Sequence, residues 1–277
     1  MFREAPEDEV DEVKRAERSR ILSGMIAAAA EAGTKIRHMS AHGIVVRSKS
    51  DASPVTDADE AAEAIIEQHL SELLPGVPVI GEEAVAGGSS RKPGTTFFLV
   101  DPIDGTRDFI AKREGYTVNI ALIHEGTPIL GVIYAPAIGE LYAGGADGAS
   151  RWPLVPGINI ENVPEERIRV RTPGKSLVAC VSPAHLDRDT QSWLKQRGIS
   201  ETIKIGSSIK FCRLAEGKAD IYPRLSPVSE WDVAAGHAIL MAAGGSVRAP
   251  DNSPLHYGKR DDDYEVTSFV AAGVAPR

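Results

Sequence analysis

The stretch LVDPIDGTRDFI, residues 99–110, sets two carboxylates, Asp101 and Asp104, three positions apart at the end of an apolar run. A proline lies between them, and Gly105 and Thr106 follow. An unpaired carboxylate at the edge of a core is costly, so the arrangement asks for a cationic partner. Two further acidic sites share this context. Glu82 and Glu83 follow the apolar segment 77–80, and Asp232 follows ADIYPRL at the opening of a helical pattern. Each alone has an ordinary explanation as a turn, a solvated pair or a helix N-cap. Together they can converge on one sheet edge, where α/β proteins place ligands. Crowded carboxylates need a compensating cation, and an oxygen-only set suits Mg2+, Mn2+ or Ca2+ rather than zinc.

The same segment offers groups for an anion. Gly105 and Thr106 lie where a helix over RDFIAKR can begin, and the free amides of a helix N-terminus attract phosphate. Carboxylates for a divalent metal and amides for a phosphate thus lie within one short stretch. Metal-assisted hydrolysis of a phosphate ester uses both. A covalent aspartyl-phosphate mechanism of the haloacid dehalogenase type needs D-x-D-G-T. Here D-P-I-D-G-T inserts one residue and puts the second Asp out of register with the nucleophile.

The elements that must position these groups are readable in outline. Residues 1–20 are almost wholly polar and fit a short helix or a loosely held tail equally well. Ile21, Leu22, Met25, Ile26, Ala29 and Ile36 recur at helical spacing. Residues 38–53 read as a mixed, mobile stretch with a short strand over 44–46. SPVTD at 53–57 starts a helix that runs to Leu74, with Ala61, Ile65 and Leu70 on its apolar side, and Pro75-Gly76 stops it. Residues 116–144 predict an antiparallel meander, because short turns such as Glu125-Gly126 separate apolar β-branched runs. Residues 150–175 are Pro-rich and irregular. Strands then alternate with helices: 177–181, a helix near 187–197, 201–205, the helix opened by GSSIKFCRLAEG, ADIYPRL, the helix at Trp231-Asp232, and strands near 245–248 and 266–271. The class is α/β with mixed strands. Its parts are a charged extension over 1–20, an α+β half over 21–155 and an α/β half over 156–277.

Composition excludes several classes. At 277 residues, 42% hydrophobic and 25% charged, the chain can bury a sizeable core. A net charge of −8 argues against binding a nucleic-acid polymer. Cys180 and Cys212 form no metal-ligand spacing and read as reduced core thiols of a cytoplasmic protein. The charged N-terminus lacks the apolar segment of a secretory signal, and no apolar run approaches the length of a membrane span.

The motifs GEE, DPIDGT and WDVAAGHAI, in this order, resemble the signatures of the lithium-sensitive, Mg2+-dependent phosphatases of the inositol monophosphatase superfamily. Four stretches are most similar to the bacterial 3'(2'),5'-bisphosphate nucleotidase branch: KSDASPVTDAD, DPIDGTRDFI, YTVNIALIHEGTPILGVIYAP and SIKFCRLAEGKADIYPRLSPVSEWDVAAGHA. The resemblance implies the layered αβαβα fold shared with fructose-1,6-bisphosphatase. It implies release of the 3'-phosphate of adenosine 3',5'-bisphosphate to give AMP, with 3'-phosphoadenylyl sulfate as a further substrate.

It also implies roles. Glu82, Asp101 and the Ile103 carbonyl would hold one ion, and Asp101, Asp104 and Asp232 a second. Glu83 would support a third, weaker one, with Mg2+ expected and Mn2+ able to replace it. Thr106 and Asp59 would orient the attacking water, with no covalent enzyme intermediate. The phosphate under attack would meet Glu82, Ile103, Asp104, Gly105, Thr106 and Asp232. Ser182, His185, Ser207, Lys210 and Arg224 are candidates for the second phosphate and the adenine. Of these, Lys210 has a surface-charge alternative, His185 a strand-end one and Arg224 a structural ion pair.

Two rival readings stay open at this point. An inositol monophosphatase or another small phosphomonoester phosphatase would share the metal residues and differ in the pocket wall. A non-catalytic metal or anion sensor would share the fold alone. Oligomeric state and association with the inner face of a membrane are carried by no motif.

Overall fold

The computed structural model describes residues 7–49, 51–89, 91–183 and 186–273, with side chains from residue 14 onward. Its elements stack in five layers. The helices Glu7–His42 and Asp57–Leu73 cover one face of a seven-stranded sheet. That sheet runs Val79–Gly81, Thr96–Asp104, Thr117–His124, Thr127–Ala135, Glu140–Gly145, Gly148–Trp152 and Glu166–Ile168 from edge to edge. Its opposite face packs on the helices Ile209–Ala215 and Glu230–Ala242. These in turn pack on a five-stranded sheet ordered Glu201–Lys204, Val178–Val181, Ile221–Arg224, Phe269–Ala272 and Ser246–Arg248. The helix Arg188–Gln196 closes the far side.

Three apolar clusters fill the spaces between the layers, so the expected αβαβα layering is present. The meander is antiparallel as expected, and Val79–Gly81 pairs in parallel with Thr96–Asp104 at the edge. The second sheet is mixed.

The helix Glu230–Ala242 lies close on the meander because two glycines remove side chains beneath it. A Cβ on Gly131 would stand 2.4 Å from the Ala235 carbonyl oxygen, and one on Gly144 would stand 2.7 Å from the Ile239 Cα. Backbone meets backbone there, and the helix that carries Asp232 is pressed onto the sheet that carries Asp101.

Four local expectations need correction. The polar N-terminal stretch continues from Glu7 into a single 36-residue helix. No Pro or Gly interrupts it before Gly24, and strong helix formers favour continuation. Residues 38–49 and 51–53 hold more regular structure than the sequence suggests. The helix extends to His42, and Val46–Ser48 pairs with Pro54–Thr56 as a hairpin. In Asp57–Leu73 the buried face is Ala58, Ala62, Ile66 and Leu70, while Ala61 and Ile65 are half-buried. The doublets Ala61-Ala62 and Ile65-Ile66 make the apolar phase ambiguous by one residue. Within 150–175, the Glu166–Ile168 strand adds the last edge to the seven-stranded sheet.

Candidate active site

Asp101 and Asp104 lie in one strand, where residues three apart ordinarily face opposite sides. A bulge changes this. Asp101 stands opposite Asn119 and Asp104 opposite Thr117, so three steps on one strand match two on its partner. Pro102 cannot donate to the ladder and favours such an irregularity. The Asp101 carboxylate accepts from the Ile103 amide at 2.9 Å, which closes the turn. Both carboxylates therefore face the same side.

Asp232 joins them from the first turn of Glu230–Ala242, where its carboxylate accepts from the Ser229 amide at 3.2 Å. One oxygen from each of Asp101, Asp104 and Asp232 lies within 4.8 Å of the others. Glu82 follows the edge strand, whose Gly81 pairs with Val100, so it stands beside Asp101 in the neighbouring strand.

The electrostatics are those of acids held together at a cost. Burial, and then the charges of Glu82, Asp104 and Asp232, push Asp101 well above the carboxylate range. Asp232 is pushed up to about 8 by burial, then by Asp104 and Glu82. Burial also raises Asp104, against the pull of Lys210 and the Ser208 amide. Among the described residues none of the three forms an ion pair with lysine or arginine. A small divalent cation matches this all-oxygen set and removes the repulsion that otherwise protonates it. The residues fit the expected metal.

Asp59 and Thr106 meet as expected. Asp59 is 1% exposed and caps its own helix, accepting from the Thr56 amide at 2.8 Å and the Thr56 hydroxyl at 2.6 Å through one oxygen. Its other oxygen faces the Thr106 hydroxyl at 3.2 Å, and that hydroxyl also lies 3.1 Å from the Ile103 carbonyl. Burial raises Asp59, and the Thr56 bonds oppose the rise. Gly105 has φ +98, and a Cβ there would stand 2.6 Å from the Gly115 carbonyl oxygen, so the turn into Thr106–Ile110 needs glycine. That helix is only five residues long, so the anion-attracting dipole read from RDFIAKR is small.

A cleft of about 460 Å³ opens over these groups. Glu82, Asp101, Ile103, Asp104, Gly105, Thr106 and Asp232 line it. Ser182, Ser207, Lys210 and Arg224 line the same cleft, together with Arg107 and Arg113. Lys210 is 3% exposed, under the Tyr222 ring, and donates to the Ser207 carbonyl. Burial lowers its pKa to about 8 while Asp104 opposes the fall. Arg224 is held by the carbonyls of Ser226 and Pro227 at 3.4 and 3.3 Å. His185 lies outside the described residues. Glu83 stands apart from the cleft and lines a neighbouring hollow.

Lys49, Glu63 and Ser208 escaped the sequence reading. The Lys49 ammonium lies 2.6 Å from Glu82 and 2.8 Å from Glu83. Burial works against its charge, but the two glutamates hold its pKa above the usual value. Glu83 in turn is raised to about 7 by burial, against Lys49. Ser208 donates its amide to Asp104 at 2.6 Å and so ties the start of the Ile209–Ala215 helix to the strand Thr96–Asp104. Lys49 and Glu63 resemble solvated charges in sequence, and a backbone donor leaves no sequence signal at all.

Comparison with known proteins gives the family. The model of the inositol monophosphatase family matches residues 17–274. The 3'(2'),5'-bisphosphate nucleotidase CysQ of Escherichia coli K12 is 44% identical over 216 residues, covering 78% of this chain and 84% of that relative. The Buchnera aphidicola protein of the same name is 39% identical over 77% of this chain and 78% of its own length. The crystal structure of CysQ from Bacteroides thetaiotaomicron, a bacterial member of the inositol monophosphatase family, superposes with a TM-score of 0.76. It is 37% identical, with 91% of this chain and 96% of that one covered. The inositol monophosphatase of Anabaena, at 22% identity and a TM-score of 0.70, shares the fold. The chain therefore belongs to the inositol monophosphatase family and is a phosphatase.

Proposed function

We propose that this phosphatase is a Mg2+-dependent 3'(2'),5'-bisphosphate nucleotidase of the cytoplasm. It hydrolyses the 3'-phosphate of adenosine 3',5'-bisphosphate to AMP and phosphate, and it also accepts 3'-phosphoadenylyl sulfate. The observation that carries this reading is a single cleft lined both by the clustered carboxylates and by Lys210 and Arg224, whose charges act on Asp104. A substrate with two anionic groups suits a lining that offers a metal-type carboxylate set and basic side chains together, and the relatives that are 39–44% identical bear the nucleotidase name.

Glu82, Asp101, the Ile103 carbonyl, Asp104 and Asp232 would hold two divalent ions, and Glu83 would support a weaker third beside Lys49. When bound, such ions supply charge neutralisation at the phosphate and make water a better nucleophile. Thr106 orients the attacking water, and Asp59 fixes the Thr106 hydroxyl through its 3.2 Å contact. Lys210, Arg224, Ser182 and Ser207 receive the second phosphate and the adenosine. Residues 21–155 carry most of the metal platform, and residues 156–277 complete it with Asp232 and carry most of the substrate wall. Lithium would inhibit by taking one of the metal positions, and Mn2+ would substitute for Mg2+.

The test separates the basic side chains of the cleft from its carboxylates. Lys210→Ala and Arg224→Ala should each lower kcat/KM for the bisphosphate by about 10- to 100-fold, the worth of one charge-assisted phosphate contact. The loss on inositol 1-phosphate should be much smaller. Equal losses on both substrates would contradict the assignment of these side chains to the second phosphate.

A further inference from the structure

Glu63 is 8% exposed, and its carboxylate is fully engaged by backbone. One oxygen accepts from the Glu83 amide at 2.9 Å and the other from the Ala84 amide at 2.8 Å. These amides open the Glu82–Ala86 helix, whose N-cap Gly81 has no side chain to serve them. The acceptor comes instead from another helix, 20 residues before Glu83. It approaches so closely that a Cβ on Gly81 would lie 2.4 Å from the Glu63 carboxyl carbon. Glu63 also lies one turn after Asp59 on the buried face of Asp57–Leu73. One rigid helix thus carries the carboxylate aimed at Thr106 and the carboxylate that grips the segment bearing Glu82.

We infer that Glu63 is a positioning residue for the phosphatase site: it grips the backbone at Glu83 and Ala84 and so holds Glu82 beside Asp101. The inference rests on the proposed role of Glu82 in holding a metal ion. A carboxylate that served only to cap a short helix would affect stability alone. One that sets the place of Glu82 governs metal affinity as well.

The test uses Mn2+ as probe, with free ion followed by electron paramagnetic resonance on the full chain and thermal unfolding measured alongside without metal. Glu63→Gln keeps the volume but turns one acceptor into an N–H donor facing an amide. The expected result is a Mn2+ dissociation constant raised by about tenfold or more, as for loss of other groups that orient metal ligands. Half-saturating Mg2+ for phosphate release should rise with it, while the rate at saturating Mg2+ stays close to that of the unaltered chain. Glu63→Asp, which keeps the charge on a shorter stem, should fall between the two. A lower Tm for Glu63→Gln with unchanged Mn2+ affinity would overturn the inference, provided that Glu82→Gln weakens Mn2+ binding. If Glu82→Gln also leaves Mn2+ binding unchanged, the metal-holding role of Glu82 fails, and the inference fails with it.

Discussion

Asp101 is the residue on which the chemistry turns, because the charges of Glu82, just past the neighbouring strand, and of Asp104 and Asp232 all act on it. Asp101→Asn should lower Mg2+-dependent phosphate release by about a hundredfold or more, since a neutral amide both binds a divalent ion poorly and leaves its partners misaligned. The same change should raise the Tm of metal-free protein, because an amide spares the folded state the cost of keeping Asp101 protonated at neutral pH. Phosphate release and a melt in chelator check the two effects, and a lower metal-free Tm would contradict the electrostatic account.

The pH dependence follows from the same groups. Asp232, pushed up to about 8, and Glu83, raised to about 7, hold protons in the folded state that the unfolded chain has already released. Metal-free stability is therefore lost as pH rises through these values. His237, lowered to about 4 by burial, works in the opposite direction only below its ordinary value of 6.5. Between about pH 6.5 and pH 8 the Tm of metal-free protein should fall, and Mg2+ should diminish the fall. A Tm that rises across that window without metal would contradict the prediction.

Elements place these residues by close approach. Gly131→Ala inserts a Cβ against the Ala235 carbonyl oxygen, a backbone atom that cannot rotate away. Overpacking of this kind costs about 1–3 kcal/mol. Because the displaced helix carries Asp232, half-saturating Mg2+ should rise together with the loss of stability, as urea unfolding and a Mg2+ titration would show. Loss of stability with unchanged Mg2+ dependence would mean that the helix shifts without moving Asp232.

At this scale the sequence was most legible where signals are local. The meander, the SPVTD helix start and the strand-then-acid motifs all follow from residues within a few positions of one another. The bulge that turns Asp101 and Asp104 to one side is only hinted at by Pro102. Glu63 was hidden because A-A-E-A-I-I-E reads as a solvated glutamate on an amphipathic helix. Its partners are amides 20 or 21 residues away, and amides have no sequence identity.

Across the whole molecule, a buried charge network ties the meander to the middle helices. Glu140 pairs with Arg213 at 2.7 Å and Arg151 at 2.8 Å, while Arg213 also meets Glu216 and donates to the Tyr142 hydroxyl at 2.8 Å. Arg213 lies one turn after Lys210, so the network holds the helix that brings Lys210 into the cleft. Arg213→Ala leaves Glu140 and Glu216 without their main partner and should cost about 3 kcal/mol or more by urea unfolding. A cost under about 1 kcal/mol would mean that the pairs behave like solvated ones. The sequence contains every member of this network, but nothing in its spacing pairs Glu140 with a residue 73 positions later. The same is true of the Ser208 amide on Asp104, 104 positions apart. Long-range register is what the layered fold adds to motifs that are themselves local.

The central claim is that the partners of the clustered carboxylates are divalent ions serving hydrolysis of a nucleotide bisphosphate. Its most direct test is phosphate release from adenosine 3',5'-bisphosphate and from inositol 1-phosphate, side by side, with and without Mg2+. A strong, Mg2+-dependent preference for the nucleotide is the predicted result. Preference for the inositol ester, or release that persists without any divalent ion, would contradict it.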